Sequence, residues 1–110
     1  MENFKVDFDA IEWEAPLPGA RFKRFCHHGK QLRLLEFTKW FVEPDWCKKG
    51  HIGMVLEGAL DVDFKGRVVT FKTGDGLFIP SGPPGAHKAR PLTPVVRLVL
   101  VEEASLEGVA

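Results

Sequence analysis

The stretch GHIGMVLEGALDVDFKGRVVTF, residues 50–71, decides the fold class because apolar and polar side chains alternate in its central part. Leu60, Val62 and Phe64 alternate with two aspartates, which is the pattern of a β-strand with one buried and one solvated face. The Lys-Gly pair that follows is a two-residue turn signal, and the apolar run VVTF comes soon after it. The segment therefore predicts an antiparallel hairpin.

The same pattern continues in both directions from the hairpin. Turns such as HHGK, LEG, KTGDG and IPSGPPG recur every eight to twelve residues, with short runs rich in Val, Phe, Leu and Ile between them. This spacing is typical of an all-β sandwich or barrel, and no helical periodicity persists over a useful length. The predicted strands are residues 20–26, 32–42, 51–57, 59–65, 67–72, 76–79, 86–90 and 95–102.

The chain has 110 residues, which is enough for one domain and too short for two. We assign residues 1–31 to lead-in strands, residues 32–102 to a barrel and residues 103–110 to a frayed tail. Fifteen acidic residues balance fifteen basic residues, so the charge gives no indication of a nucleic-acid partner.

The N-terminal sequence has neither the basic start nor the apolar core of a signal peptide, and no stretch approaches the roughly 18 apolar residues of a membrane span. We therefore expect a cytoplasmic protein without a membrane partner. In that reducing compartment, Cys26 and Cys47 are better interpreted as packing residues, metal ligands or reactive thiols than as a disulfide.

The strand that begins at His51 has two different faces. Parity places His51 on one face, while Ile52, Met54 and Leu56 form an apolar stripe on the other. A chain this short has little of its own to cover that stripe, so we predict a homodimer. The last strand, VVRLVLV, is apolar on both faces apart from Arg97, as expected of a strand that is covered on both sides.

Two motifs resemble those of the cupin family, whose members are small double-sheet β-barrels. The segment EPDWCKKGHIGMVLEG reproduces the second half of the first motif, because six residues separate His51 from Gly58, as they separate the family's ligand Glu from a Gly. With the family's three-residue spacer, Asp45 and Cys47 stand at its two His positions. The resemblance covers residues 32–102 and implies a barrel with a metal or small-molecule site inside it.

The second motif resembles GDGLFIPSGPPGAHKA. Gly74, Pro80 and Gly82 match the family pattern, Gly85 stands at the family's His position, and His87 follows two residues later. The resemblance therefore places His87 across the barrel mouth from the first motif. It also implies that Gly85→His would restore a family ligand and tighten metal binding.

Asp45, Cys47 and His51 share parity, so an extended segment would project all three side chains to one side. Together with His87 they form the predicted metal-ligand set. Thiolate and imidazole ligands favour a borderline-soft ion, with Zn or Fe first and Ni, Cu or Mn as further candidates.

Each of these residues also has an interpretation without metal. Cys47 could be a small buried hydrophobe, His51 a hydrogen-bonded strand residue, and His87 a solvated loop residue. Asp45, next to a proline, could be a turn former. A Cys47–His51 pair of nucleophile and base is a further alternative.

The aromatic and apolar content predicts a pocket for a small, partly hydrophobic organic ligand. The candidate lining residues are Phe37, Trp40, Phe41, Trp46, Phe71, Phe78 and Arg97. Three functions fit this sequence: a metal-dependent enzyme acting on a small organic substrate, a non-catalytic ligand-binding or sensing module without metal, and a metal-free structural barrel.

Overall fold

The computed structural model describes residues 4–104 and shows nine strands among them. The strands are β1 (Glu14–Leu17), β2 (Ala20–His27), β3 (Lys30–Thr38), β4 (His51–Glu57), β5 (Ala59–Asp63), β6 (Val68–Lys72), β7 (Gly76–Ile79), β8 (Lys88–Pro91) and β9 (Val95–Glu103). Two short 3₁₀ turns span Phe8–Ala10 and Pro83–Gly85. The all-β prediction is confirmed. Within residues 4–104, no helix is long and apolar enough to cross a membrane.

The strands form two antiparallel sheets. The larger sheet has the order β1-β2-β3-β9-β4-β7 and the smaller has the order β6-β5-β8. Strand β9 is central to the larger sheet, since it pairs with β3 on one side and with β4 on the other. Apolar side chains from both sheets pack into one core cluster, which gives the double-sheet β-barrel that the sequence predicts.

Alternation along the strands decides which side chains enter the core. In β9, Val96, Leu98 and Leu100 are all buried, and in β5, Leu60 and Val62 are buried between partly exposed neighbours. The period of two that the sequence shows is therefore the period of burial in the structure.

The hairpin between β5 and β6 closes through the predicted Lys-Gly pair. Lys65 has φ 59° and Gly66 has φ 105°, and the Phe64 backbone N–H donates to the Arg67 carbonyl at 2.8 Å. Positive φ at both central residues is characteristic of a type I′ turn, whose twist matches that of the flanking strands. The hairpin prediction is confirmed.

Several strand boundaries differ from the prediction by one or two residues, and one differs by more. The strand expected to continue to position 42 ends at Thr38, because the backbone N–H of Phe41 turns back to bond the Thr38 carbonyl at 3.0 Å. Strand β9 includes Glu103, which was assigned to the tail and which pairs with Lys30 on β3. Residues 105–110 of the predicted tail lie outside the described residues.

Candidate metal centre

Cys47, His51 and His87 lie together inside the barrel and are buried. One potential ligand atom from each residue lies within 4.8 Å of the other two. The Sγ atom of Cys47 is 3.9 Å from Nε2 of His51, and the two imidazole centroids are 5.0 Å apart. The structure thus brings together three of the four residues that the sequence suggested as metal ligands.

The backbone fixes this cluster from both sheets. His51 is the first residue of β4 in the larger sheet, whereas His87 directly precedes β8 in the smaller sheet. Cys47 and His87 form an isolated antiparallel bridge, in which the Cys47 N–H donates to the His87 carbonyl at 2.8 Å and the His87 N–H donates to the Cys47 carbonyl at 3.0 Å. The candidate ligands therefore meet where the two sheets are tied together.

A buried network orients the ring of His51. Nδ1–H of His51 donates to Oε2 of Glu102 at 2.5 Å, and Glu102 also accepts from Gln31 at 2.9 Å and from Arg33 at 2.6 Å. None of these four residues is more than 4% exposed. Because a carboxylate only accepts hydrogen bonds, Nδ1 carries the ring proton and Nε2 faces Cys47. A carboxylate behind a ligand histidine is a common arrangement around protein metal ions.

The carboxyl group of Glu102 is ionised at neutral pH. Burial alone would raise its pKa, but the hydrogen bond from His51 and the charge of Arg33 outweigh burial and lower the pKa to about 2. The network therefore places a fixed negative charge behind His51. Such a charge supports a cation bound at Nε2.

A backbone carbonyl orients the ring of His87. Nδ1–H of His87 donates to the Gly85 carbonyl at 2.8 Å, so a metal would bind this residue through Nε2. Gly85 ends the 3₁₀ turn, and a Cβ atom there would lie 2.3 Å from the Pro80 carbonyl oxygen. No side chain fits at this position, and the expectation that Gly85→His restores a ligand is therefore wrong.

The thiol of Cys47 is held in its protonated form. Burial raises its pKa, and a hydrogen bond from the backbone of Lys49 opposes that effect only in part. A metal ion bound at Cys47 would displace this proton. The raised pKa also removes support from the nucleophile-and-base alternative, since a nucleophilic cysteine needs an accessible thiolate.

The fourth suggested ligand does not join the cluster. Asp45 is exposed at a bend, because the segment before Cys47 is not extended as the parity argument required. Cys26 and Cys47 are both free thiols, which agrees with the interpretation that they do not form a disulfide. The two adjacent histidines of the CHHG sequence are exposed at the turn between β2 and β3.

The interior beside the two histidines is almost filled. A cavity of about 20 Å³ remains there, which is room for about one water molecule. Apart from His51 and His87, its lining consists of Leu35, Phe37, Leu60, Val62, Leu77, Ile79, Ala89, Leu98 and Leu100. The space suits a water molecule or an ion, and it is far smaller than the roughly 300–1,000 Å³ of an ordinary organic-ligand pocket.

Three of the predicted pocket residues lie in or against the core. Phe37 lines the cavity, Phe41 stacks on Phe37 with ring centroids 4.4 Å apart, and Phe71 packs against the core cluster. Trp46 is at the surface, with the Lys88 ammonium 4.9 Å from its ring centroid. The three phenylalanines fill or border the interior, and none of the four aromatic side chains lines an open pocket.

The other three predicted pocket residues point away from the interior, which corrects the sequence interpretation. Phe78 is 80% exposed because its neighbours on both sides along β7 point inward. Arg97 lies between two buried residues of β9 and pairs with Glu36 on the outer face. Trp40 is 76% exposed in the turn after β3.

Sequence reasoning missed the network behind His51. Glu102 has the same parity as Leu100 in β9, and Arg33 has the same parity as Leu35 in β3. Charged residues of opposite sign at inward positions of two apolar strands indicate a buried ion pair. That signal was available from the sequence once the strands were assigned.

Solved structures resemble this barrel. KdgF from Halomonas sp. matches with a TM-score of 0.71 at 23% sequence identity, over 88% of this chain and 92% of that protein. A sugar phosphate isomerase of the cupin superfamily from Silicibacter pomeroyi matches with a TM-score of 0.71 at 18% identity, over 92% of this chain and 76% of the other. Oxalate decarboxylase from Bacillus subtilis, which has Mn(II) centres, matches with a TM-score of 0.72 at 16% identity, over 94% of this chain and 30% of that protein.

The sequence matches no protein-family model and no curated protein. At identities of 23% or less, the structural likeness establishes the architecture and leaves the activity open. The two antiparallel sheets and the similar solved structures agree with the fold implied by the two sequence motifs. The chain therefore has the cupin fold.

Proposed function

We propose that this protein is a metal-binding cupin in which Cys47, His51 and His87 hold one transition-metal ion inside the barrel. The observation that carries the proposal is the convergence of three buried ligand atoms within 4.8 Å of one another. Both imidazoles already have Nδ1 bonded to an acceptor. Rings held in this way lose little freedom when a metal binds.

The donor set favours zinc. One thiolate and two imidazoles suit Zn²⁺ first and Fe²⁺ second, with Ni, Cu and Mn as weaker candidates. Three protein ligands leave a fourth position for water or substrate, as in catalytic zinc sites. The cavity beside the two histidines has a volume of about 20 Å³, which matches about one such water molecule.

We also propose that the bound metal serves a reaction on a small organic substrate, which has to approach the ion from outside the cavity because the cavity of about 20 Å³ holds only about one water molecule. When bound, such an ion supplies Lewis acidity that polarises a substrate oxygen or activates a water. The apolar lining of the cavity excludes bulk water, and Glu102 keeps His51 in the ligand tautomer. A sugar phosphate isomerase and an oxalate decarboxylase with Mn(II) centres have the same fold, which supports metal-dependent chemistry without identifying the substrate.

Metal analysis of protein purified without a histidine tag and loaded with zinc tests the proposal. We expect about one zinc per chain in the wild type, and loss of that zinc in Cys47→Ser and in His51→Ala because each variant removes a ligand. Asp45→Asn is the matched control, since Asp45 lies on the same segment but is exposed. Stoichiometric zinc in both ligand variants would show that the ligand set is wrong.

The alternative of a metal-free ligand-binding module has less support. The cavity of about 20 Å³ accommodates no organic molecule with or without a metal, so the Cys47, His51 and His87 cluster is what favours the metal-binding function. A ligand would have to bind at the surface, for example near Trp46, whose ring has Lys65 at 5.5 Å and Lys88 at 4.9 Å. Unchanged small-molecule binding after complete removal of metal would favour this alternative.

A further inference from the structure

Strand β8 lies at an edge of the smaller sheet, where β5 is its neighbour. The backbone N–H groups of Ala89 in β8 and of His87 just before it are directed to the other side, where residues 43–47 run past the edge. A buried N–H group needs an acceptor, and an edge strand has no further strand of its sheet to supply one. The acceptors at this edge therefore help to hold β8 beside the candidate metal centre.

The segment that runs past this edge supplies its acceptors in two different ways. Cys47 and His87 form the isolated bridge already described. In a regular antiparallel ladder such hydrogen-bonded pairs recur at every second residue, so the next pair would join Ala89 to Asp45. The chain bends at Asp45 instead, and the side chain of Glu43 reaches the edge, where its Oε1 accepts from the Ala89 N–H at 2.8 Å. Glu43 thus supplies the acceptor that the bent backbone does not.

Glu43 is buried although both of its chain neighbours are exposed. Its exposure is 8%, whereas that of Val42 is 80%. A buried carboxyl group gives up its hydration, and this costs free energy that an exposed position would avoid. Glu43 also lies within electrostatic range of the Cys47 thiol. The burial of an acidic side chain at this place is therefore better explained by a role at the candidate metal centre than by stability.

The hydrogen bond from Ala89 bears directly on the direction of the His87 side chain. His87 and Ala89 are two residues apart, are both buried and both line the small cavity. A slip of this strand by one residue would turn both side chains to the outer face and Lys88 to the inner face. The bond to Glu43 opposes such a slip on the edge side, as the pairing with Val62 of β5 does on the other side.

We propose that Glu43 is a positioning residue of the candidate metal centre, which holds His87 in place for metal binding through the backbone of Ala89. The inference rests on the proposed metal-binding function. It gives each histidine a carboxylate of its own, because Glu102 orients the ring of His51 directly and Glu43 fixes the backbone that carries His87. Since the two supports are separate, their effects on zinc affinity should add.

Zinc affinity measured by competition with a chelator tests the proposal. Glu43→Ala removes the acceptor, and we expect the affinity to fall about tenfold or more. Glu43→Gln keeps an oxygen at the same reach, so the affinity should return to within about threefold of the wild type. Val42→Ala is the matched control, because Val42 lies on the same segment but is exposed, and it should leave the affinity unchanged.

A double variant shows whether Glu43 acts through His87. In the His87→Ala background, Glu43→Ala should change the zinc affinity by less than about twofold, because the positioned ligand is already absent. Hydrogen exchange of the zinc-free protein gives a readout without metal. The Ala89 amide should exchange faster in Glu43→Ala than in Glu43→Gln, because only the first variant loses the acceptor.

Circular dichroism shows whether each variant keeps its strands. If Glu43→Ala does not, Glu43→Asp replaces it, since its shorter side chain withdraws the oxygen while keeping the charge, and the same loss of affinity is expected. Wild-type affinity in the folded variant would overturn the proposal. So would a Glu43→Gln that binds zinc as weakly as Glu43→Ala, because the charge and not the hydrogen bond would then matter.

A full tenfold loss from Glu43→Ala in the His87→Ala background would overturn the proposal as well, because Glu43 would then act on another ligand. These outcomes leave the metal site itself intact as long as the wild type binds zinc and Cys47→Ser does not. A wild-type protein that binds no zinc would overturn both proposals.

Discussion

The two faces of the larger sheet differ most clearly between adjacent residues of the same strand. On β9, Glu102 points inward and its neighbour Val101 points outward, and on β4, His51 points inward and Ile52 points outward. The inner face buries ionisable groups that hydrogen-bond to one another, while the outer face exposes apolar groups. At these residues, alternation along the strand and not the polarity of the side chain therefore decides whether a side chain is buried or exposed.

The difference also indicates where function lies. Buried charges contribute little net stability compared with apolar side chains of similar volume, because their desolvation costs about as much as their pairing returns. A buried pair of Arg33 and Glu102 that ends on His51 is thus better explained by the orientation of a ligand histidine.

The largest expected effect comes from breaking the inner network. Glu102→Ala leaves the guanidinium of Arg33 buried without its carboxylate, so we expect a loss of about 3–5 kcal/mol in the free energy of unfolding. Val101→Ala, one residue away on the outer face, should cost less than about 1 kcal/mol. Denaturant unfolding of both variants measures the difference. Equal losses would mean that the two faces do not differ as described.

Acid should lower the free energy of unfolding over a defined pH interval, because it protonates Glu102 on the inner face. The pKa of Glu102 is lowered from 4.5 to about 2, so its contribution to stability is complete above pH 4.5 and is lost as the pH falls toward 2. The shift corresponds to about 3 kcal/mol. We expect the free energy of unfolding to fall over this interval more steeply in the wild type than in Glu102→Gln. Val101→Ala should keep the wild-type slope, and identical slopes for the wild type and Glu102→Gln would contradict the assignment.

The inner network should also set metal affinity. Glu102→Gln keeps the size of the side chain but removes the charge behind His51, so we expect zinc affinity to fall about 10- to 100-fold. Competition with a chelator measures this change, and Val101→Ala serves as the control on the opposite face. A Glu102→Gln protein with wild-type zinc affinity would show that the carboxylate does not position the ligand, even if Cys47→Ser confirms the metal site itself.

The sequence was sufficient for the fold because alternation and turn chemistry are local. The hairpin at Lys65 and Gly66 and the strands from β4 to β7 follow from neighbouring residues. The cluster of Cys47, His51 and His87 required the resemblance, since His87 comes from the other sheet.

The rest of the site could not be predicted in the same way. The inward parity of Glu102 and Arg33 was available from the sequence, but their pairing depends on the register between β3 and β9, which joins residues far apart in the chain. Gly85 has no space for a side chain because the Pro80 carbonyl of the preceding loop lies against it. The outward position of Phe78 was available from parity, but the aromatic character of the residue suggested a pocket instead.

The smallest expected effect comes from an exposed ion pair of this sheet, compared with a buried one. Arg97 pairs with Glu36 on the outer face, where its side chain is 46% exposed and where Arg21 also holds Glu36. Arg97→Ala should therefore cost less than about 1 kcal/mol, and the cost should shrink in high salt because exposed pairs are screened.

Arg33→Ala is the matched change on the inner face, and it should cost several times more and respond little to salt, because both members of the Arg33–Glu102 pair are at most 1% exposed. If Arg97→Ala cost as much as Arg33→Ala, or if salt left its cost unchanged, the outer ion pairs would be as buried as the inner one. The difference between the faces would then rest on the apolar residues alone.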